Sequence, residues 1–163
     1  MLAAALTVGN PMPKLEGENL SGHKAVLPDI AKGKVTLVAM GFGYDSRHTV
    51  EVWTKRFRRE FGNHPDTASF QVPVISGIAR LAKLFIDSGM RRGTPKEDRD
   101  KVITVYTGSS EWKDRMGADN TDYAYLLLLD RDGRVRWRHA GAFDESVWPE
   151  LREATEAVLH SGE

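Results

Sequence analysis

From Val35 to Phe42 every position but Thr36 is apolar, and Val35, Thr36 and Val38 are β-branched. Such a run reads as a strand buried on both faces. Gly41 and Gly43 interrupt it, Asp45 or Ser46 is placed to cap a helix, and Glu51 falls in that helix's first turn. Val50, Trp53, Phe57 and Phe61 then recur at spacings of three and four, which puts them on one helix face. Residues 70–76 alternate and are β-rich, so they read as a second core strand, with Pro73 marking an edge, a bulge or its end. Ile78, Leu81, Ala82, Phe85 and Ile86 mark a helix. Residues 89–101 are too charged for a core and predict a loop with one helical turn opening at Thr94-Pro95.

Lys101–Thr107 predicts a third strand and Ser109–Met116 a short helix. Tyr123–Leu129 is a second fully apolar strand, turned at Asp130–Gly133 into Arg134–His139, where charged and apolar residues alternate and one face is wet. Asp144–His160 closes the chain as a helix with Val147, Trp148, Leu151, Ala154 and Val158 on one side. Ahead of all this, Pro11 and Pro13 hold their neighbours extended, residues 15–27 predict a hairpin, and Asp29–Lys32 one helical turn. The predicted order is β-β-α-β-α-β-α-β-β-α, an α/β protein. In such folds a strand–glycine turn–helix junction like that at 41–48 is where ligands and chemistry gather.

The 163 residues suit one domain spanning 1–163, with 1–9 as a flexible lead and 89–100 as a charged insert. A domain of that size buries roughly 70% of its unfolded surface, enough for a full core. Net charge is zero, so composition gives no reason to expect nucleic acid, and no apolar run is long enough for a membrane span. The most informative count is cysteine: there is none. Disulfides, thiolate metal sites and thiol redox chemistry within the chain are excluded. The opening Met1–Gly9 lacks a basic region and is short for a signal peptide. A cytoplasmic location is expected if that terminus is native, and a mitochondrial or exported one if a targeting segment was removed.

The stretch 35–61 resembles the active-site segment of the thioredoxin-like superfamily, in which a strand leads into an aromatic residue, Cys-x-x-Cys and a long helix. Tyr44 takes the aromatic place and Asp45-Ser46-Arg47-His48 the place of the two cysteines. The opening Gly9-x-x-x-Pro13 is similar to the start of peroxiredoxin-like domains. Leu128-Leu129-Asp130-Arg131-Asp132-Gly133-Arg134-Val135-Arg136-Trp137 is similar to the superfamily's closing hairpin. Where redox-active members carry a cis-proline, this chain has Ala124. The resemblance implies a thioredoxin-like three-layer α/β/α sandwich with a mixed central sheet, without the superfamily's redox groups. A narrower resemblance covers residues 10–158: Lys34–Val38, Arg92–Pro95, Asn120–Asp130 and Val135–Trp137 are similar to motifs of the mitochondrial ATP synthase assembly factors of the ATP-ten type. That resemblance implies a redox-inactive protein that binds another protein as an assembly factor or chaperone.

Candidate binding residues are Tyr44, Asp45, Ser46, Arg47 and His48 at the turn, with Ala124 and Tyr125 beside it. Arg91, Arg92 and Trp137 form a candidate partner surface. An anion held by Arg47 and the helix N-terminus is one alternative. An enzyme working without cysteine, through His48 or through Ser46 activated by His48 and oriented by Asp45, is another. The plainer reading of 45–48 is a helix cap with a solvated first turn. The histidines at 23, 48, 64, 139 and 160 show no metal-site spacing, so no metal and no cofactor are expected. Basic residues at 55–59 and 80–101 suggest a surface for phosphate or an acidic partner. The plainer reading is a solvated face partly neutralised by Glu51, Glu60, Asp87, Glu97, Asp98 and Asp100.

Overall fold

In chain order the elements are β1 (Leu15–Asn19), β2 (Lys24–Leu27), β3 (Val35–Gly41), α1 (Arg47–Phe61), β4 (Thr67–Pro73), α2 (Lys83–Gly93), β5 (Ile103–Thr104), α3 (Ser109–Met116), β6 (Ala124–Leu129), β7 (Val135–Gly141) and α4 (Trp148–Ser161). The computed structural model from which they are taken describes residues 4–76 and 82–161. Strands β3 and β6 are buried at every residue, as their apolar runs require. They pair antiparallel at the centre of a four-stranded sheet of order β4-β3-β6-β7, in which β3 and β4 are parallel. A second sheet, β2-β1-β5, joins the free side of β4 through parallel bridges at Gln71–Val102 and Val74–Val105.

The pleat sends alternate residues of β3 and β6 to opposite faces, and each face carries its own core. Val35, Leu37, Ala39, Leu126 and Leu128 pack against Val50, Trp53, Phe57 and Phe61 of α1 and Trp148, Leu151 and Leu159 of α4. Val38, Met40, Leu127 and Leu129 pack on the other side against Trp112 and Met116 of α3, with Leu15 and Leu27 of the hairpin. The result is the three-layer α/β/α sandwich with a mixed sheet that the resemblance implies.

Several boundaries differ from the sequence pattern. Three strands precede α1, not two, because the hairpin contributes both of its own before β3. The expected loop at 89–101 is helical as far as Gly93. Within α2, Lys83 pairs with Asp87 one turn on, and the Arg99 guanidinium closes the end by donating to the Arg91 and Thr94 carbonyls. A 3-10 turn follows at Lys96–Lys101, and of the strand expected over Lys101–Thr107 only Ile103–Thr104 form β5. Ile78 and Leu81, read as part of a helix face, lie outside the described residues, as does the side chain of Phe85. Pro73 ends β4, where its missing N–H costs no ladder bond. Within the stretch read as a flexible lead, Leu6 is buried. Arg138 donates to its carbonyl, and the Gly9 N–H donates to Val135.

Candidate functional site

The junction after β3 is shaped by two close approaches. A Cβ on Gly41 would lie 2.3 Å from Ser46 Oγ, and one on Gly43 would lie 2.9 Å from Thr121 Cβ. Glycine at both positions lets the chain turn tightly between α1 and the loop before β6. Tyr44–Ser46 form a 3-10 turn that leads into α1. Ser46 occupies the cap position but does not cap. Its side chain is buried, and its hydroxyl donates to the Gly43 carbonyl at 2.6 Å. That bond turns the hydroxyl inward, so Ser46 braces the turn. No hydrogen bond among the described residues links Ser46, Asp45 and His48, and Asp45 and His48 are exposed.

The structure therefore divides the predicted residues in two. Tyr44, Asp45, Arg47 and His48 are at the surface. Tyr44 is 73% exposed, and the Arg47 guanidinium lies 4.0 Å above its ring. A cation over an aromatic face is attracted by the ring quadrupole, and the contact orders both side chains. Ala124 and Tyr125 are buried at the start of β6 and point to opposite faces of the sheet. Ala124 faces Gly41 across the ladder. The Tyr125 hydroxyl donates to the Asn120 carbonyl and accepts from its N–H, both at 3.0 Å, while its ring meets Phe42 edge-on at 5.5 Å. The cis peptide among the described residues is Leu27–Pro28, beside Gly133 at the opposite end of β6 from Ala124.

The other predicted surface is also divided. Arg92 is exposed and Arg91 half-buried. Trp137 is half-buried against the α1–α4 core and stacks on His139, with centroids 5.7 Å apart and planes 19° apart. His139 meets Trp53 edge-on at 5.7 Å, and Trp53 meets Phe143 at 4.8 Å. Burial pushes the His139 imidazole below its ordinary range, opposed by the carboxylates of Glu150 and Asp144. A neutral ring in an aromatic stack is the form this setting favours. The first turn of α1 is tied to the same corner by Thr49 Oγ1, which accepts from the Phe143 N–H at 2.7 Å.

Two features escaped the sequence pattern. Asp87, read as a solvated neutralising acid, is 4% exposed and accepts from Tyr106 and Lys83. Its i,i+4 spacing from Lys83 was the one signal in the sequence. The docking of Thr121 on Gly43 has no local signal at all. Among the described residues, no group of three or more metal-ligating side chains is arranged to hold an ion. No helix there is long and apolar enough to cross a membrane.

The family model described as ATP10 protein matches residues 9–157, nearly the whole chain. The chain belongs to that family. No curated protein matches it. Among solved structures it is similar to a protein assigned as thiol:disulfide interchange protein DsbE from Chlorobium tepidum, at 18% identity and TM-score 0.64, covering 95% of this chain and 99% of that one. It is also similar to the thiol peroxidase from Chromobacterium violaceum, at 15% identity and TM-score 0.56, covering 95% and 91%. A thiol-disulfide oxidoreductase from Bacteroides fragilis matches at 15% identity and TM-score 0.55, covering 88% and 98%. These likenesses carry the thioredoxin-like fold. The thiol chemistry in their names has no cysteine to run on here.

Proposed function

We propose that this ATP10-family chain is a redox-inactive binding protein, an assembly factor or chaperone that holds a protein partner at the Tyr44–His48 turn. One observation carries the reading: Tyr44, the most exposed large hydrophobic side chain among the described residues, follows the end of the central strand and has Arg47 stacked on its ring. Tyrosine and arginine are the residue types that dominate binding hot spots, and an aromatic ordered before binding loses less entropy on contact. A serine nucleophile is disfavoured because the Ser46 hydroxyl is buried and already donates to a carbonyl. Asp45 and His48 sit beside the pair as polar groups of a rim.

The partner is to be captured by pull-down from the native source and then titrated in pure form. Tyr44→Ala and Arg47→Ala are each expected to weaken its binding by at least about 1 kcal/mol and to leave folding stability within roughly 1 kcal/mol. If both bind normally while Trp137→Ala or charge reversal at Arg91 and Arg92 does not, the interface lies elsewhere and the turn is a brace only. Redox inactivity is tested separately. Thiol–disulfide exchange needs a thiolate, so insulin reduction and peroxide consumption are expected to match buffer blanks. Enzymatic peroxide turnover by the pure protein counts against the reading.

A further inference from the structure

A pocket of about 350 Å³ opens between the β1–β2 turn and the end of α2, lined by Leu20, Ser21, Gly22, Arg91, Lys96 and Arg99. Three of its six residues are cations and none is an acid. The ion pairs among the described residues use none of the three. Asp98, an acid of the same segment, is engaged by Arg58 at 3.9 Å and Lys101 at 3.4 Å. The Arg99 guanidinium is fixed without being neutralised: Nε donates to the Thr94 carbonyl at 3.3 Å and Nη2 to the Arg91 carbonyl at 3.0 Å. Arg91 Nε is buried and donates to nothing among the described residues.

Like charges gathered on one pocket repel, and an anion with several acceptor oxygens relieves that repulsion. Two planar guanidinium forks and a mobile ammonium match a phosphate group, which offers enough oxygens for all three and a charge near −2. We propose that this pocket binds the phosphate group of a phosphate-bearing compound, with Arg99 as the donor held in place and Arg91 and Lys96 completing the cationic lining. The site uses none of the Tyr44–His48 residues and stands whether or not a partner binds there. The same headgroup chemistry is offered by a soluble phosphate compound or by a phosphatidate-type lipid.

The test titrates the full chain with pyrophosphate at constant ionic strength, following amide shifts by NMR, with chloride as the reference salt. Saturable shifts at Ser21, Gly22 and residues 91–99 are expected. Lys96→Glu, exposed and without a structural bond, is expected to weaken binding by about tenfold or more, as is Arg91→Gln, while Lys32→Glu leaves it unchanged. Lys96→Glu keeps the proposal testable if Arg91→Gln unfolds. Co-sedimentation with phosphatidylcholine vesicles containing phosphatidate, lost in Lys96→Glu, supports a lipid source. Pyrophosphate binding without vesicle binding supports a soluble one. Linear shifts that chloride reproduces, or wild-type binding by Lys96→Glu, overturn the site.

Discussion

Phe57→Ala is expected to destabilise the protein by about 3–5 kcal/mol, a large part of the stability of a domain this size. Phe57 is 1% exposed, and its ring lies 5.2 Å from that of Phe61. It sits among Val35, Leu37, Trp53, Leu126 and Leu128, on the face of the sheet that α1 covers. Truncation removes the transfer energy of a large ring and leaves a hole. That hole cannot close, because it is walled by β3 and β6, which are hydrogen-bonded along their full length. Ile30→Ala serves as the control. Ile30 is 50% exposed, so its loss should stay within about 0.5 kcal/mol. Urea unfolding of the two variants reads the difference directly. A loss below about 1 kcal/mol for Phe57→Ala would mean that α1 does not rest on the sheet through this residue.

The legible part of the molecule is the part that hydrophobic period alone decides. Val35–Gly41 and Ala124–Leu129 have no polar residue to turn outward except Thr36, so only a central place in a sheet suits them. Val50, Trp53, Phe57 and Phe61 have one common helix face and hence one orientation. What the pattern misplaces is decided by partners distant in sequence. Residues 89–93 look like loop because they are charged, yet they stay helical with a last turn held by Arg99. Trp137, offered as part of a partner surface, meets the α1–α4 core and His139, because the register shift at Leu128/Leu129 turns it to the face opposite Val135. At the turn, the residue types 44–48 were legible but their directions were not. Ser46 faces inward only because Gly41 leaves room for it and Gly43 offers its carbonyl. Tyr125 is spent on Asn120 and Phe42, so the recognition groups at the turn are the exposed ones.

Asp87→Ala is the second change expected to cost a large share of stability, about 2–3 kcal/mol. The Asp87 carboxylate is buried and accepts from the Tyr106 hydroxyl at 2.7 Å and from Lys83 Nζ at 2.8 Å. Alanine removes both charge-assisted bonds and leaves a part-buried hydroxyl without its acceptor. The figure stays at the lower end for a broken buried pair because the Lys83 side chain is 35% exposed and retains Glu18 at 3.5 Å. Asp87→Asn keeps the volume and an acceptor oxygen, so it should cost less than alanine. The same network fixes a pH dependence. Burial first, and the bond to Asp87 second, raise the Tyr106 hydroxyl above the usual phenol range, and the bond to Asp87 raises Lys83. Both groups then hold their protons longer in the folded chain than in the unfolded one, where they titrate near about pH 10. Their contribution is complete below that pH. Above it the unfolded chain sheds protons that the folded chain retains, and stability falls as pH rises. Urea midpoints measured between about pH 8 and pH 11 should therefore decline on the alkaline side. Tyr106→Phe, which loses about 1 kcal/mol or slightly more at neutral pH, should show a shallower decline because one of the two protons is gone. An alkaline slope identical in Tyr106→Phe and wild type would place the titrating group elsewhere. A cost below about 0.5 kcal/mol for Asp87→Ala would mean that this carboxylate does not tie α2 to the segment after β5.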